Sequence, residues 1–179
     1  MVDAERTAPL EIETDRLVLR TLHPGDEAAL QEMFGRCADH FRILSGLPGP
    51  APDAAAGEIA GCAATPGRDV ALLTLAETGE AVGALGWWVG NPEADRALIG
   101  MIMIVPEHRR QGLAREALSG LEVWLAGQGI RGLRTAFQRR RLPVHPVVRG
   151  LGFREMSIRE HTALGLGSAG ISLWEKPLG

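Results

Sequence analysis

The sequence predicts an α/β protein of the α+β kind: one domain over residues 1–179, built on a mixed, mostly antiparallel sheet of six to seven strands with about four helices. Three observations carry this. The first is a strand–helix–strand passage around residues 98–137. The apolar run LIGMIMIV (98–105) gives way to apolar residues at three- and four-residue steps, and then to a second strand-like run. Such a unit needs a parallel pair joined by a right-handed crossover. The second is the tight connection Thr78-Gly79 between two β-type runs, which sets its neighbours antiparallel. The third is a length of 179 residues without repeat or linker, which suits a single core.

Residues 1–10 read as a loose terminus. ETDRLVLRTL (13–22) carries β-type residues and stops at the turn signal His23-Pro24-Gly25. Asp26 is placed to cap a helix whose apolar positions Ala29, Leu30, Met33 and Phe34 keep helical spacing. SGLPGPAPD (45–53) breaks the chain, and Asp53 is placed to cap a helix over AAAGEIAGCAA (54–64), weakened by its two glycines. Strands follow at 69–77, 80–90 and 94–105. The last is the most apolar of the chain, so it reads as a central strand buried on both faces. From Gln111 onward, Ala114, Ala117, Leu118, Leu121, Trp124 and Leu125 form one apolar stripe, on a helix of about four or five turns. Gly127 or Gly129 is placed to end it. Residues 130–137 read as a strand, 144–153 as a short helix closing on Gly152, and 153–164 and 171–178 as the last strands.

Composition excludes several function classes. A net charge of −3 and an isoelectric point of about 6.0 argue against nucleic acid or an anionic membrane as partner. Cys37 and Cys62 lie far apart, and the five histidines are scattered. No metal is therefore expected, and the cysteines read as buried free thiols. No apolar run approaches the roughly 20 residues that span a bilayer, and MVDAERTAPLEIETDR has no apolar signal core. The expected location is the cytoplasm. Gly165 to Gly170 matches GxGxxG by letter, but no βαβ unit follows it, so it reads as a hairpin tip bordering an acceptor site.

The informative stretch is PEHRRQGLAREAL (106–118). A strand stops at Pro106 and a helix opens through small residues. The first turn of a helix carries unpaired N–H groups and the positive end of its dipole; left uncovered, they form an anion site. Gly112 and Ala114 remove the cover, while Arg109, Arg110 and Arg115 add charge. The end of the preceding strand is free to splay from a neighbour.

These residues resemble a known family. Arg109-Arg-Gln-Gly112-Leu-Ala114 fits the R/Q-x-x-G-x-G/A motif of the GCN5-related N-acetyltransferases (GNAT), at the place where that family carries it. ETDRLVLR (13–20) and LGF (151–153) resemble the branch of the ribosomal-protein alanine acetyltransferases. The resemblance covers nearly the whole chain and implies a GNAT-like fold with splayed strands at a cofactor cleft. It implies acetyl-CoA, and hence coenzyme A, as bound substrate, and an amine as its partner. The pyrophosphate would lie on the amides of Arg110, Gln111, Gly112, Leu113, Ala114 and Arg115, beside Arg109. The pantetheine arm would pair with the backbone of Met103, Ile104 and Val105 like an added strand. A homodimer is compatible with the fold.

Acetyl transfer needs a neutral amine, a stabilised thioester oxygen and a leaving thiolate that is stabilised or protonated. The amide of Ile104 is the candidate oxyanion donor. Many family members carry an acidic tyrosine five residues before the GF phenylalanine; here that position is Val148, and the chain has no tyrosine. The family's frequent asparagine falls on Arg141. His145 is the titratable candidate in that segment, against a plain helix-start residue held between Pro143 and Pro146. The run Gln138 to Arg141 either faces the nucleotide 3′-phosphate or is solvated. Trp87, Trp88, Trp124 and Trp174 either pack the core or line the acceptor cleft. The leading expectation is an N-acetyltransferase acting on a primary amine, of a small molecule or a protein N-terminus. The alternatives are an acyl-CoA-binding protein acting as sensor or partner, and a plain phosphate-binding module.

Overall fold

The structure, a computed structural model, describes residues 10–91, 93–138, 144–165 and 170–179. The strands are β1 (Glu11–Glu13), β2 (Leu17–Thr21), β3 (Arg68–Leu75), β4 (Ala81–Val89), β5 (Arg96–Ile104), β6 (Gly132–Gln138), β7 (Arg154–Glu155) and β8 (Ile171–Pro177). The helices are α1 (Glu27–Arg36), α2 (Ala38–Ser45), α3 (Ala54–Ala64), α4 (Leu113–Gly127), α5 (Val144–Gly150) and α6 (Ile158–Ala163). All eight strands form one sheet in the order β1-β2-β3-β4-β5-β6-β8-β7. Among the described strands, only β5 and β6 run parallel, joined by α4. The sheet is mixed and mostly antiparallel as expected, with one strand and two helices more.

The extra elements have local causes. The expected strand at 13–22 is β2, with β1 a separate strand ahead of it, because Thr14 and Leu17 close a turn (Thr14 N–H to Leu17 O, 2.8 Å). Helix α2 starts where α1 stops: Cys37 ends one and opens the other, so the pair gives no break in periodicity. The expected strand at 153–164 is a correction. Only Arg154–Glu155 pairs as strand, and α6 follows. Ser157 and Glu160 form a reciprocal capping box, the Ser157 hydroxyl accepting from the Glu160 N–H and the Glu160 carboxylate from the Ser157 N–H. Two satisfied backbone donors outweigh the β-type residues around them. Asp26 and Asp53 stand where expected, but neither side chain caps its helix. Asp26 instead accepts from the Arg20 guanidinium and the His23 N–H. Gln31 Oε1 takes the Ala55 N–H at the start of α3.

Helices α1 and α3 pack on each other and on β4 and β3, and α4 packs on β1, β2 and β5. Of the stripe read from the sequence, Ala117, Leu118, Leu121 and Leu125 are buried, joined by Leu113, while Ala114 is half-buried. Each leucine contributes about 1.5–3 kcal/mol by leaving water, so the first turn of α4 sits on a fixed base. Trp124 is half-buried and meets Trp87 edge to face, ring centroids 6.3 Å apart. Trp87 and Trp174 are core residues. Both cysteines are buried free thiols. No described helix is long and apolar enough to cross a membrane.

Candidate active site

The parallel pair is short. β5 and β6 are in register only over Arg96–Gly132, Ala97–Leu133 and Leu98–Arg134, although β5 continues to Ile104 and β6 to Gln138. The cause lies on the other edge of β5. Against β4, Ile99 faces Trp87 and Met101 faces Gly86, so Gly100 is an extra, unpaired residue. A bulge bends its strand, and here it turns β5 from β6 at the point where their pairing stops. The most apolar strand of the chain is central, yet its second half is not buried on both faces. Gly100 is exposed, and Met101 and Ile102 are half-buried, because they line a cleft of about 570 Å³ between the diverging strands.

Backbone parity decides which groups the open edge offers. Val105 N–H donates to Val82 O of the neighbouring strand segment. Alternation along an antiparallel pair then turns Met101 and Met103 toward β4 and leaves the N–H groups of Ile102 and Ile104 facing the cleft. The Ile104 carbonyl has this direction too, accepting from Arg109 Nε at 2.7 Å. Of the three residues expected to pair with a pantetheine arm, Ile104 is at the open edge. Met103 lines the cleft with its backbone turned to β4, and Val105 is fully buried with its amide committed. Ile102 was missed; strand parity relative to the partner strand is the signal that finds it.

At the end of β5, one 3₁₀ turn (Pro106–His108) leads into the loop before α4. Arg110 has φ 59°, the sole non-glycine residue with positive φ among those described, and Gly112 has φ 84°. Left-handed residues on either side of Gln111 turn the chain sharply just ahead of α4. Gly112 precedes α4, with no side-chain cap. The first intrahelical bond there is Glu116 N–H to Gly112 O, 3.0 Å. The amides of Leu113, Ala114 and Arg115 are left as first-turn donors. There is open space here for a ligand: a Cβ on Gly112 would meet only Arg16 Nη2, at 3.5 Å.

The arginines of the motif divide. Arg109 is not a free cation: its guanidinium forms a two-point ion pair with Asp39 of α2, besides its bond to Ile104 O. That correction follows from a partner 70 residues away in sequence. Arg109 holds the Asp39 carboxyl below its ordinary range. Arg115 donates to Gly150 O at 2.6 Å, fastening α4 to the end of α5. Arg110 is exposed and has no ion pair among the described residues. A clamp behind the loop leaves no local mark in the sequence. Glu116 in the first turn of α4 accepts from the Thr14 hydroxyl, the Arg16 N–H and Arg16 Nε, each at 2.7 Å. Arg16 Nη1 donates onward to Gln111 O at 3.0 Å. Thr14 and Arg16 belong to the ETDRLVLR stretch, which thereby fixes the loop.

Met103, Ile104, Arg109, Arg110, Gly112, Leu113, Ala114 and Arg115 line the cleft, joined by Thr135 to Phe137 of β6, Val147 and Val148 of α5, and Asp39, His40 and Ile43 of α2. Gln111, expected with them, does not line it; its carbonyl accepts from Arg16 instead. Val148 stands at the cleft, so no titratable side chain occupies the tyrosine position. His145 turns elsewhere: its ring lies 5.3 Å from Phe137 and 5.4 Å from Trp174, and it does not line the cleft. None of the four tryptophans does. Arg141 and the tip between Gly165 and Gly170 lie outside the described residues.

The family model of the acetyltransferase (GNAT) family matches residues 31–153. No curated protein matches in sequence. Among solved structures, an acetyltransferase from Thermus thermophilus superposes with a TM-score of 0.73 at 25% identity, covering 94% of this chain and 100% of that one. A probable acetyltransferase of the GNAT family from Chromobacterium violaceum gives 0.74 at 22% identity, over 93% and 85%. RimL, a ribosomal L7/L12 alpha-N-protein acetyltransferase in complex with coenzyme A, gives 0.72 at 15% identity, over 94% and 98%. The chain belongs to the GNAT acetyltransferase family. Its enzyme class is therefore that of the acetyl-CoA-dependent N-acetyltransferases.

Proposed function

We propose that this chain transfers acetyl from acetyl-CoA to a primary amine, of a small molecule or a protein N-terminus, by direct attack in the cytoplasm. One observation carries the reading: the gap between β5 and β6 opens directly onto the uncapped amides behind Gly112. Acetyl-CoA supplies the activated thioester carbonyl. The amides of Gly112 to Arg115 and the side chain of Arg110 hold the diphosphate. The arm is extended, so groups along β5 meet it in order from the loop inward. The Ile104 N–H, nearest the loop, bonds the arm; the Ile102 N–H, one repeat deeper, is the oxyanion donor. This moves the donor from Ile104, whose N–H is taken up by the arm, to Ile102. The walls at Ile99, Met101, Val147 and Val148 exclude water. Helix α5 lends no acid at Val148, so the thiolate leaves without that help. The reduced, buried state of Cys37 and Cys62 suits a reducing compartment.

Calorimetry with acetyl-CoA, coenzyme A and ATP tests the binding reading, and thiol release across an amine panel tests transfer. ATP binding as tightly as coenzyme A would leave only a phosphate site.

A further inference from the structure

His40 differs from the other polar groups of the cleft. Asp39 and Arg109 are paired with each other, His108 lies 3.4 Å from Glu80, and Arg115 is bound to Gly150 O. Arg110 stands at the phosphate end. His40 is half-buried in the α2 wall and makes one ring contact, edge to face with Phe41 at 5.9 Å. Its imidazole has no hydrogen bond to another described residue, and it lines the same cleft as Gly100, Ile102 and Thr135. Its place is held rigidly: the adjacent Asp39 is locked to Arg109, and Arg109 to the Ile104 carbonyl. A chain of two contacts thus ties this turn of α2 to the strand edge that faces the thioester.

We propose that His40 is the base of the reaction, taking a proton from the ammonium of an acceptor that enters between α2 and the open edge of β5. This rests on the transferase reading above. The imidazole removes one N–H proton, and the freed nitrogen lone pair bonds the thioester carbonyl carbon. The C–S bond breaks with its electron pair on sulfur, and a second proton of the nitrogen passes to that sulfur. The products are the amide, the thiol and a protonated His40, which returns its proton to solvent. The charged groups facing His40 are Asp39 on its own helix and Arg109 from the loop before α4. Burial lowers the imidazole below its ordinary value of 6.5; Arg109 adds to this and Asp39 opposes it. The free base is accordingly the resting form at neutral pH.

The test follows thiol release from acetyl-CoA with two nucleophiles: benzylamine, an ammonium at neutral pH, and hydroxylamine, already neutral there. In His40→Ala and His40→Gln, kcat/KM for benzylamine is expected to fall by about 10²–10⁴-fold. The fall for hydroxylamine is far smaller, so the ratio of the two rates shifts by at least about 10²-fold. The wild-type benzylamine profile has an acid limb below pH 6.5 that both variants lose. Equal losses with the two nucleophiles, no loss with either, or a loss of acetyl-CoA affinity by calorimetry would overturn the assignment. A wild type that binds acetyl-CoA yet releases no thiol with either nucleophile would overturn the transferase reading, and this inference with it.

Discussion

Gly112 is the residue on which the loop before α4 turns. Its φ of 84° costs a substituted residue about 1–2 kcal/mol, and in the proposed complex a carboxylate there would face the diphosphate. Gly112→Asp is expected to weaken coenzyme A binding by more than about 10²-fold, read by calorimetry, while the far-UV spectrum stays native. Unchanged affinity would remove the diphosphate from this loop. The neighbouring arginines separate by role. Arg110→Ala should weaken coenzyme A by about tenfold and flatten the salt dependence of binding. Arg109→Ala should act on stability instead. The Asp39–Arg109 pair is more than one-third exposed on both sides, so solvent screening holds the loss near about 1 kcal/mol, measured in denaturant melts. The sequence shows that arginines surround Gly112, and that much is legible. It does not show which of them is spent, because the partners of Arg109 and Arg115 are Asp39 and Gly150, 70 and 35 residues away. The clamp through Thr14 and Arg16 is invisible for the same reason. His40 was overlooked because nothing local marks it; its meaning comes from the cleft wall it joins.

Elements were legible where periodicity spoke alone. The apolar stripe of α4, the hairpin of β3 and β4 and the parallel pair around them follow from spacing, and the structure has all three. The splay followed from the chain stopping at Pro106, but its cause, the bulge at Gly100, depends on register against β4, which a single strand does not encode. α2 and α6 were lost for opposite reasons. One merges with α1 at Cys37, and the other is decided by the Ser157–Glu160 cap against the β-type residues beside it. Two glycines on facing strands turn this into a prediction. A Cβ on Gly83 would stand 2.3 Å from Met103 O, whereas one on Gly100 meets nothing within 4 Å. Gly83→Ala must push β5 from β4, and is expected to lower stability by about 1–3 kcal/mol. Gly100→Leu should cost less than about 1 kcal/mol yet block the cleft, so thermal melting changes little while thiol release falls away. The reverse order of stabilities would mean that the bulge lies elsewhere.

At the scale of the molecule, charged contacts tie distant parts of the chain to one sheet, and they make its stability depend on pH in one direction. The Arg20 guanidinium and His23 N–H hold the Asp26 carboxyl below its ordinary value of 3.8, and Arg109 does the same for Asp39. Burial pushes Glu116 up, but Thr14 and Arg16 together outweigh it, so it too lies below its ordinary 4.5. A carboxyl lowered in the folded state binds fewer protons there than in the unfolded chain. Its contribution is complete above the unfolded value and is lost as pH falls through the folded one. The exposed Glu160, lowered to about 2 by Arg154 and the Ser157 N–H, follows the same sign. His40, lowered by burial, also favours the folded state only while neutral, so its share begins to fade below 6.5. The thermal midpoint is therefore expected to decline gently below pH 6.5 and steeply below 4.5, down to about pH 3. Each half-exposed carboxylate contributes no more than about 1 kcal/mol. Asp39→Asn should lower the midpoint at neutral pH and flatten its acid limb, because the protonated wild type and the variant then share one charge state. His40→Gln should remove only the gentle upper decline. A midpoint that held constant from neutral pH to about pH 3 would mean that these carboxylates are as free in the folded chain as in the unfolded one, and that the ties between α2, the loop before α4 and the ETDRLVLR strand do not persist in solution.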